Sequence, residues 1–76
     1  LTLKEFELLK LLIKNKGNIL TRELLLDKIW GYEYIGETRT VDVHIRHLRK
    51  KIESDDKNPQ YIQTIRGVGY KFTSNE

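Results

Sequence analysis

Residues 39–52 constrain this chain more than any other stretch. At about 100° per residue, Val41, Ile45, Leu48 and Ile52 fall on one narrow arc, the stripe that seats a helix on a core. Arg39, Val43, Arg46 and Lys50 point the opposite way. Thr40, His44 and His47 flank that outer face on one side, and Asp42, Arg49 and Glu53 on the other. Within 39–51 the positive charges of Arg39, Arg46, Arg49, Lys50 and Lys51 are opposed by Asp42 alone, so this segment carries more than the chain's entire net charge of +3. Such a helix suits a polyanion. Its edges can grip a phosphate backbone while its central residues reach base edges. A solvated surface helix shows the same pattern, and the segment alone does not separate the two.

The 76 residues make one small domain, 1–76, near the lower size at which a core alone sustains a fold. An elaborate buried active site is not expected. There is no cysteine, so neither a disulfide framework nor a thiolate zinc site can stiffen the domain, and packing must do so. The apolar runs fall far short of the roughly 18 residues that span a bilayer, and no basic segment leads into an apolar one as in a signal peptide. A cytoplasmic location is the expectation. The chain opens at Leu1 and enters a helix almost at once, so it is expected to be N-terminally truncated.

Thr2 and Glu5 fit a capping box, and Leu3, Phe6, Leu9, Leu12 and Ile13 keep helical spacing as far as Asn15-Lys16-Gly17. This predicts a first helix over 3–15 whose other side, with Leu8 and Leu11, is apolar beyond what one covered face requires. Residues 18–20 form at most a brief strand. Thr21 caps a second helix, 22–30, with Leu25, Leu26, Ile29 and Trp30 as its buried arc, and Gly31 ends it. Residues 31–37 read as a loop, with Tyr32, Tyr34 and Ile35 as exposed apolar groups. The basic helix spans 38–53, capped by Thr38 or Thr40, and stops at Ser54 to Pro59. Residues 61–72 read as a β-hairpin turning at Arg66-Gly-Val-Gly69, and residues 73–76 as a frayed end.

Arg39 and Arg46, about two turns apart on the outer face, are the base-reading candidates, since arginine can donate two hydrogen bonds to guanine. Phosphate contact is the competing role, because most protein–DNA hydrogen bonds go to the backbone. Asp42 with Arg46, and Arg49 with Glu53, have the i,i+4 spacing of orienting pairs. His44 and His47 resemble half a metal site, but nothing completes the ligand set, so no metal is assigned and phosphate contact is preferred. Gly67 and Gly69 do not open a helix and so do not form a phosphate loop; a hairpin turn explains them. Trp30 fits core packing together with an indole contact to phosphate. Arg66, at the hairpin tip without an acidic neighbour, fits a minor groove.

These residues carry a resemblance. Trp30-Gly31, Arg39-Thr-Val-Asp-Val-His-Ile-Arg46, Leu48-Arg-Lys-Lys-Ile52 and Tyr61-Ile-Gln-Thr-Ile-Arg-Gly-Val-Gly-Tyr-Lys-Phe72, after an opening Leu1-Thr-Leu-Lys-Glu-Phe6, resemble the C-terminal effector domain of OmpR/PhoB-type response regulators over nearly the whole chain. The resemblance implies an α+β winged helix-turn-helix: three helices with a C-terminal β-hairpin wing, the family's N-terminal β-sheet being absent. It implies double-stranded DNA as partner, with helix 38–53 in the major groove and hairpin 61–72 as the wing. Family contacts carry over to Trp30, Arg39, Thr40, Val43, His44, Arg46, His47, Arg49, Thr64, Arg66, Gly67 and Tyr70, to which the outward position of Lys50 adds one more. Trp30 and Thr40 would touch phosphates, Val43 a thymine methyl, and Arg66 the minor groove. His47 departs from the arginine of many relatives.

The resemblance further implies direct-repeat sites bound by head-to-tail pairs, and an RNA polymerase contact through Tyr32, Tyr34 and Ile35. It also implies a receiver domain, phosphorylated through a cognate histidine kinase, outside this sequence. No cofactor is implied. A winged helix serving as a protein-interaction module is the alternative, against which the outward Arg39, Arg46 and Lys50 weigh. An enzyme is not expected, since no paired carboxylates, activated nucleophile or cofactor loop can be assembled.

Overall fold

The computed structural model describes residues 1–31, 37–55 and 57–73. Three helices, α1 (Leu3–Lys14), α2 (Arg22–Trp30) and α3 (Arg39–Ile52), pack with strands β1 (Ile19–Thr21), β2 (Ile62–Ile65) and β3 (Gly69–Phe72). The capping signals act as expected. Thr2 accepts from the Glu5 N–H while Glu5 reaches back to the Thr2 N–H, closing the box that starts α1. Thr21 accepts from the Leu24 N–H and starts α2. Gly31 ends α2 at φ +93°, a conformation that disfavours a side chain. At α3 the N-cap position falls to Thr38, whose side chain makes no capping bond.

Leu8, Leu12, Leu20, Leu25, Val41, Ile45, Leu48, Ile62 and Tyr70 form one buried core. It corrects the expected orientation of α1. Leu8 and Leu12 are inside, Leu9 and Leu11 pack partly against them, and Leu3, Phe6 and Ile13 stand exposed at 70%, 54% and 48%. Glu5 shares the core stripe with Leu8 and Leu12. Its carboxylate is buried between the Thr2 cap and Lys51 of α3, 2.6 Å away, and the Lys51 bond holds its pKa down to about 2. The arc expected for α2 is confirmed at Leu25, which is fully buried, while Leu26, Ile29 and Trp30 are partly covered.

The brief strand does not stand alone. β1 pairs antiparallel with β3, Leu20 opposite Tyr70, so the hairpin becomes a three-stranded sheet in the order β1-β3-β2. Glu53, also buried, anchors the link from α3 into β2 by accepting from the N–H groups of Gln60, Tyr61 and Ile62 at 2.9, 3.1 and 3.0 Å. The two turn glycines serve different ends. Gly67 takes φ +76°, whereas Gly69 gives room: a Cβ there would collide with the Leu20 carbonyl and Thr21 Cα of β1.

Gly69→Ala is therefore expected to lower stability by about 1–3 kcal/mol, read as a fall in the urea midpoint at unchanged slope. An unaltered midpoint would contradict the close β1–β3 approach.

Candidate nucleic-acid interface

Val41, Ile45 and Leu48 are completely buried, which fixes the rotation of α3 about its axis. The outward side chains follow. Arg39, Val43, Arg46, His47 and Lys50 are all exposed, and Val43 presents 44% of its surface among the charges. Among the described residues Arg39, Arg46, Lys50 and Arg66 meet no carboxylate within ion-pair distance. Exposed charge of this kind can act on an external anion.

One end of this face is framed by Trp30, the last residue of α2. Its ring meets His44 edge-on at 4.8 Å, and the Lys4 ammonium lies 5.7 Å from its centroid while donating to the Ile29 carbonyl. His44 Nδ1 lies 2.9 Å from the Thr40 carbonyl, which occupies one ring nitrogen inside α3. His44 and His47 gather no third ligand: among the described residues no group of three His, Cys, Asp or Glu is placed to hold a metal.

The other end is framed by the hairpin, and here the expected local pairs are corrected. Asp42 does not pair with Arg46. It accepts from Arg22 at 2.8 Å and from the Tyr70 hydroxyl at 2.6 Å. Arg49 does not pair with Glu53. It donates to the Ile62 carbonyl through Nε and Nη2, at 3.1 and 2.7 Å, and to Thr64 Oγ1 at 2.6 Å, with its guanidinium 5.5 Å from the Tyr70 ring centre. In both cases the α3 side chain satisfies a polar group of a buried sheet residue, the Tyr70 hydroxyl or the Ile62 carbonyl, a larger effect than an exposed i,i+4 pair offers. Burial lowers the Arg49 pKa, though arginine stays charged.

Tyr70 is accordingly not an exposed contact group. It is 6% exposed, and burial, reinforced by the bond to Asp42, raises its phenol well above the usual range, so it remains a proton donor. Thr64, Arg66 and Gly67 are exposed along the hairpin, and Val68 shows 46% of its surface at the tip. A shallow cleft of about 270 Å³ lies between this hairpin and the start of α2, with Arg22 and Thr64 on its walls. Arg22 is the residue that the sequence reading missed. A cation in the first turn opposes the helix dipole, and that local misfit was the available sign that it serves something other than α2. Tyr32, Tyr34 and Ile35 lie outside the described residues.

Three helices, a small antiparallel sheet and a hairpin set beside an exposed basic helix define a winged helix-turn-helix. Residues 1–72 match the family described as "Transcriptional regulatory protein, C terminal". The chain is 62% identical over 72 residues to the alkaline phosphatase synthesis transcriptional regulatory protein PhoP of Bacillus subtilis, covering 95% of this chain and 30% of that protein. Among solved structures it is similar to the Thermotoga maritima response regulator DrrB, an OmpR/PhoB homologue. There the TM-score is 0.90 at 49% identity, covering 97% of this chain and 33% of that one. The DNA-binding domain of Klebsiella pneumoniae RstA, solved in complex with the RstA box, gives a TM-score of 0.85 at 38% identity, covering 96% of this chain and 72% of that one. The chain belongs to this family, as a winged-helix DNA-binding domain of OmpR/PhoB type for transcription regulation. It spans about a third of the length of the curated relatives it matches, 37% and 30% for two of them. The family is one of DNA-binding regulators and not an enzyme class.

Arg46→Ala is expected to weaken binding to the preferred duplex by about 1–3 kcal/mol and to blur preference at one or two base positions. Selection from randomised duplexes reads both. An equal loss on every sequence would assign Arg46 to phosphate.

Proposed function

We propose that this domain is a sequence-specific reader of double-stranded DNA and the output module of a two-component response regulator. The reading places α3 in the major groove, with Arg39, Val43, Arg46 and His47 towards base edges. Trp30, Thr40, His44, Arg49, Lys50 and Thr64 serve the phosphates or hold the groups that do. Arg66 and Gly67 enter the minor groove. The observation that carries it is the outward face of α3, whose cations are exposed and unpaired among the described residues while Val41, Ile45 and Leu48 on the opposite face are completely buried. Tyr70 enters the proposal through Asp42, not as an exposed contact.

Within the proposal, two copies bind direct repeats head to tail in the cytoplasm, and an upstream receiver domain controls them on phosphorylation by a histidine kinase. Among the described residues no helix is long and apolar enough to cross a membrane. The exposed Leu3, Phe6 and Ile13 of α1 offer the face on which the family's N-terminal sheet would pack. Tyr32, Tyr34 and Ile35 would contact RNA polymerase, so their substitution lowers reporter transcription at unchanged DNA affinity. Loss of DNA binding in a folded variant would refute that separation. The RstA complex supports the reading by example, since that relative was solved on its own DNA box.

The experiment is a binding titration across salt concentration. If roughly five to seven phosphates are neutralised, log affinity falls against log salt with a slope of about −4.5 to −6. The selected duplex also outcompetes random duplex at physiological salt. A nearly flat slope without tight duplex binding would leave the protein-interaction module as the better reading, and equal affinity for every duplex would refute sequence-specific reading.

A further inference from the structure

The hairpin is tied to α3 at two points, about two helical turns apart. Near the start of α3, Asp42 accepts from the hydroxyl of Tyr70 on β3. Near its end, Arg49 clamps the Ile62 carbonyl and the Thr64 hydroxyl of β2. Thr64 and Tyr70 are themselves cross-strand partners, so the two ties meet at one rung of the ladder. The hydrogen bond at the tip, from the Val68 N–H to the Ile65 carbonyl, is internal to the hairpin and fixes no angle to α3. Arg66 thus projects from a lever whose orientation is set at the Thr64–Tyr70 rung.

Asp42 is also the one acid on the exposed basic turns of α3, and it is held by two donors, Tyr70 and Arg22. Charge alone gives no reason for it there. A carboxylate beside a polyanion is repelled, and its removal would strengthen binding by electrostatics. We propose that Asp42 is a positioning residue for DNA reading: through Tyr70 it fixes the angle of the wing to α3, and so where Arg66 stands relative to the base-reading face around Arg46. This rests on the DNA-reading function proposed above. The hydroxyl of Tyr70 suits the task because its burial keeps it a donor.

The sign of the effect separates this role from simple charge, and its background dependence separates it from general stability. The probe is the duplex enriched by selection from a random pool, and dissociation constants are measured for the parent, Asp42→Ala and Tyr70→Phe. Each variant is then repeated in Arg66→Ala and Arg46→Ala backgrounds, with thermal melts to establish folding. Both variants are expected to bind roughly three- to tenfold more weakly in the parent and in Arg46→Ala, and to change affinity less than about twofold in Arg66→Ala. Tyr70→Phe keeps the packed ring, so the test stands on it if Asp42→Ala does not fold. Tighter binding by Asp42→Ala, no change in either variant, or equal losses in both backgrounds overturns the proposal and leaves DNA reading intact. Failure of the parent to prefer any duplex removes DNA reading itself, and this inference with it.

Discussion

The burial of Val41, Ile45 and Leu48 against the rest of the core is the constraint on which the interface depends. Each such side chain contributes roughly 1.5–3 kcal/mol relative to exposure, so rotating α3 by even one residue would expose part of that stripe. The outward residues therefore need no separate device to hold their heading. Arg39, Arg46 and Lys50 present charge to solvent because the other side of the same helix has nowhere else to go.

Packing sets the helix, but polar groups set what surrounds it. Glu5 ties the start of α1 to Lys51 near the end of α3, and Glu53 gathers the N–H groups that lead into β2. Asp42 and Arg49 then join α3 to the sheet. Each of these groups is partly or fully withdrawn from water, where an unmatched charge is costly and a matched one restricts geometry. The small core receives its directional order from these contacts, which is how a domain without disulfides holds a hairpin beside a helix at a defined angle.

Local signals in the sequence are legible because they act locally. Thr2 with Glu5, Thr21 and Gly31 mark helix boundaries through atoms within a few residues. The hairpin was legible from its glycines and β-branched residues, and the inner stripe of α3 from its period. What escaped was contact between distant segments. Nothing near Ile19 announces β3 as its partner, and the face of α1 was misread because an acid occupies the core stripe. The nearest opposite charges suggested Asp42–Arg46 and Arg49–Glu53, whereas the folded chain gives Asp42 a hydroxyl 28 residues away and a guanidinium 20 residues away. The same long-range geometry buries Tyr70 and brings Arg22 beside Asp42 and the hairpin.

In the proposed reading one surface, formed by the outer face of α3 and the hairpin, meets DNA. Amide NMR titration of the chain with its selected duplex tests it most directly, because every element reports at once. Shifts are expected at Arg39, Val43, Arg46, His47 and Lys50 and along Thr64 to Gly67, with Arg22 and Trp30 at the edges. The exposed face of α1 around Phe6 and Ile13 stays unchanged. Shifts centred on α1, with α3 and the hairpin silent, would contradict it.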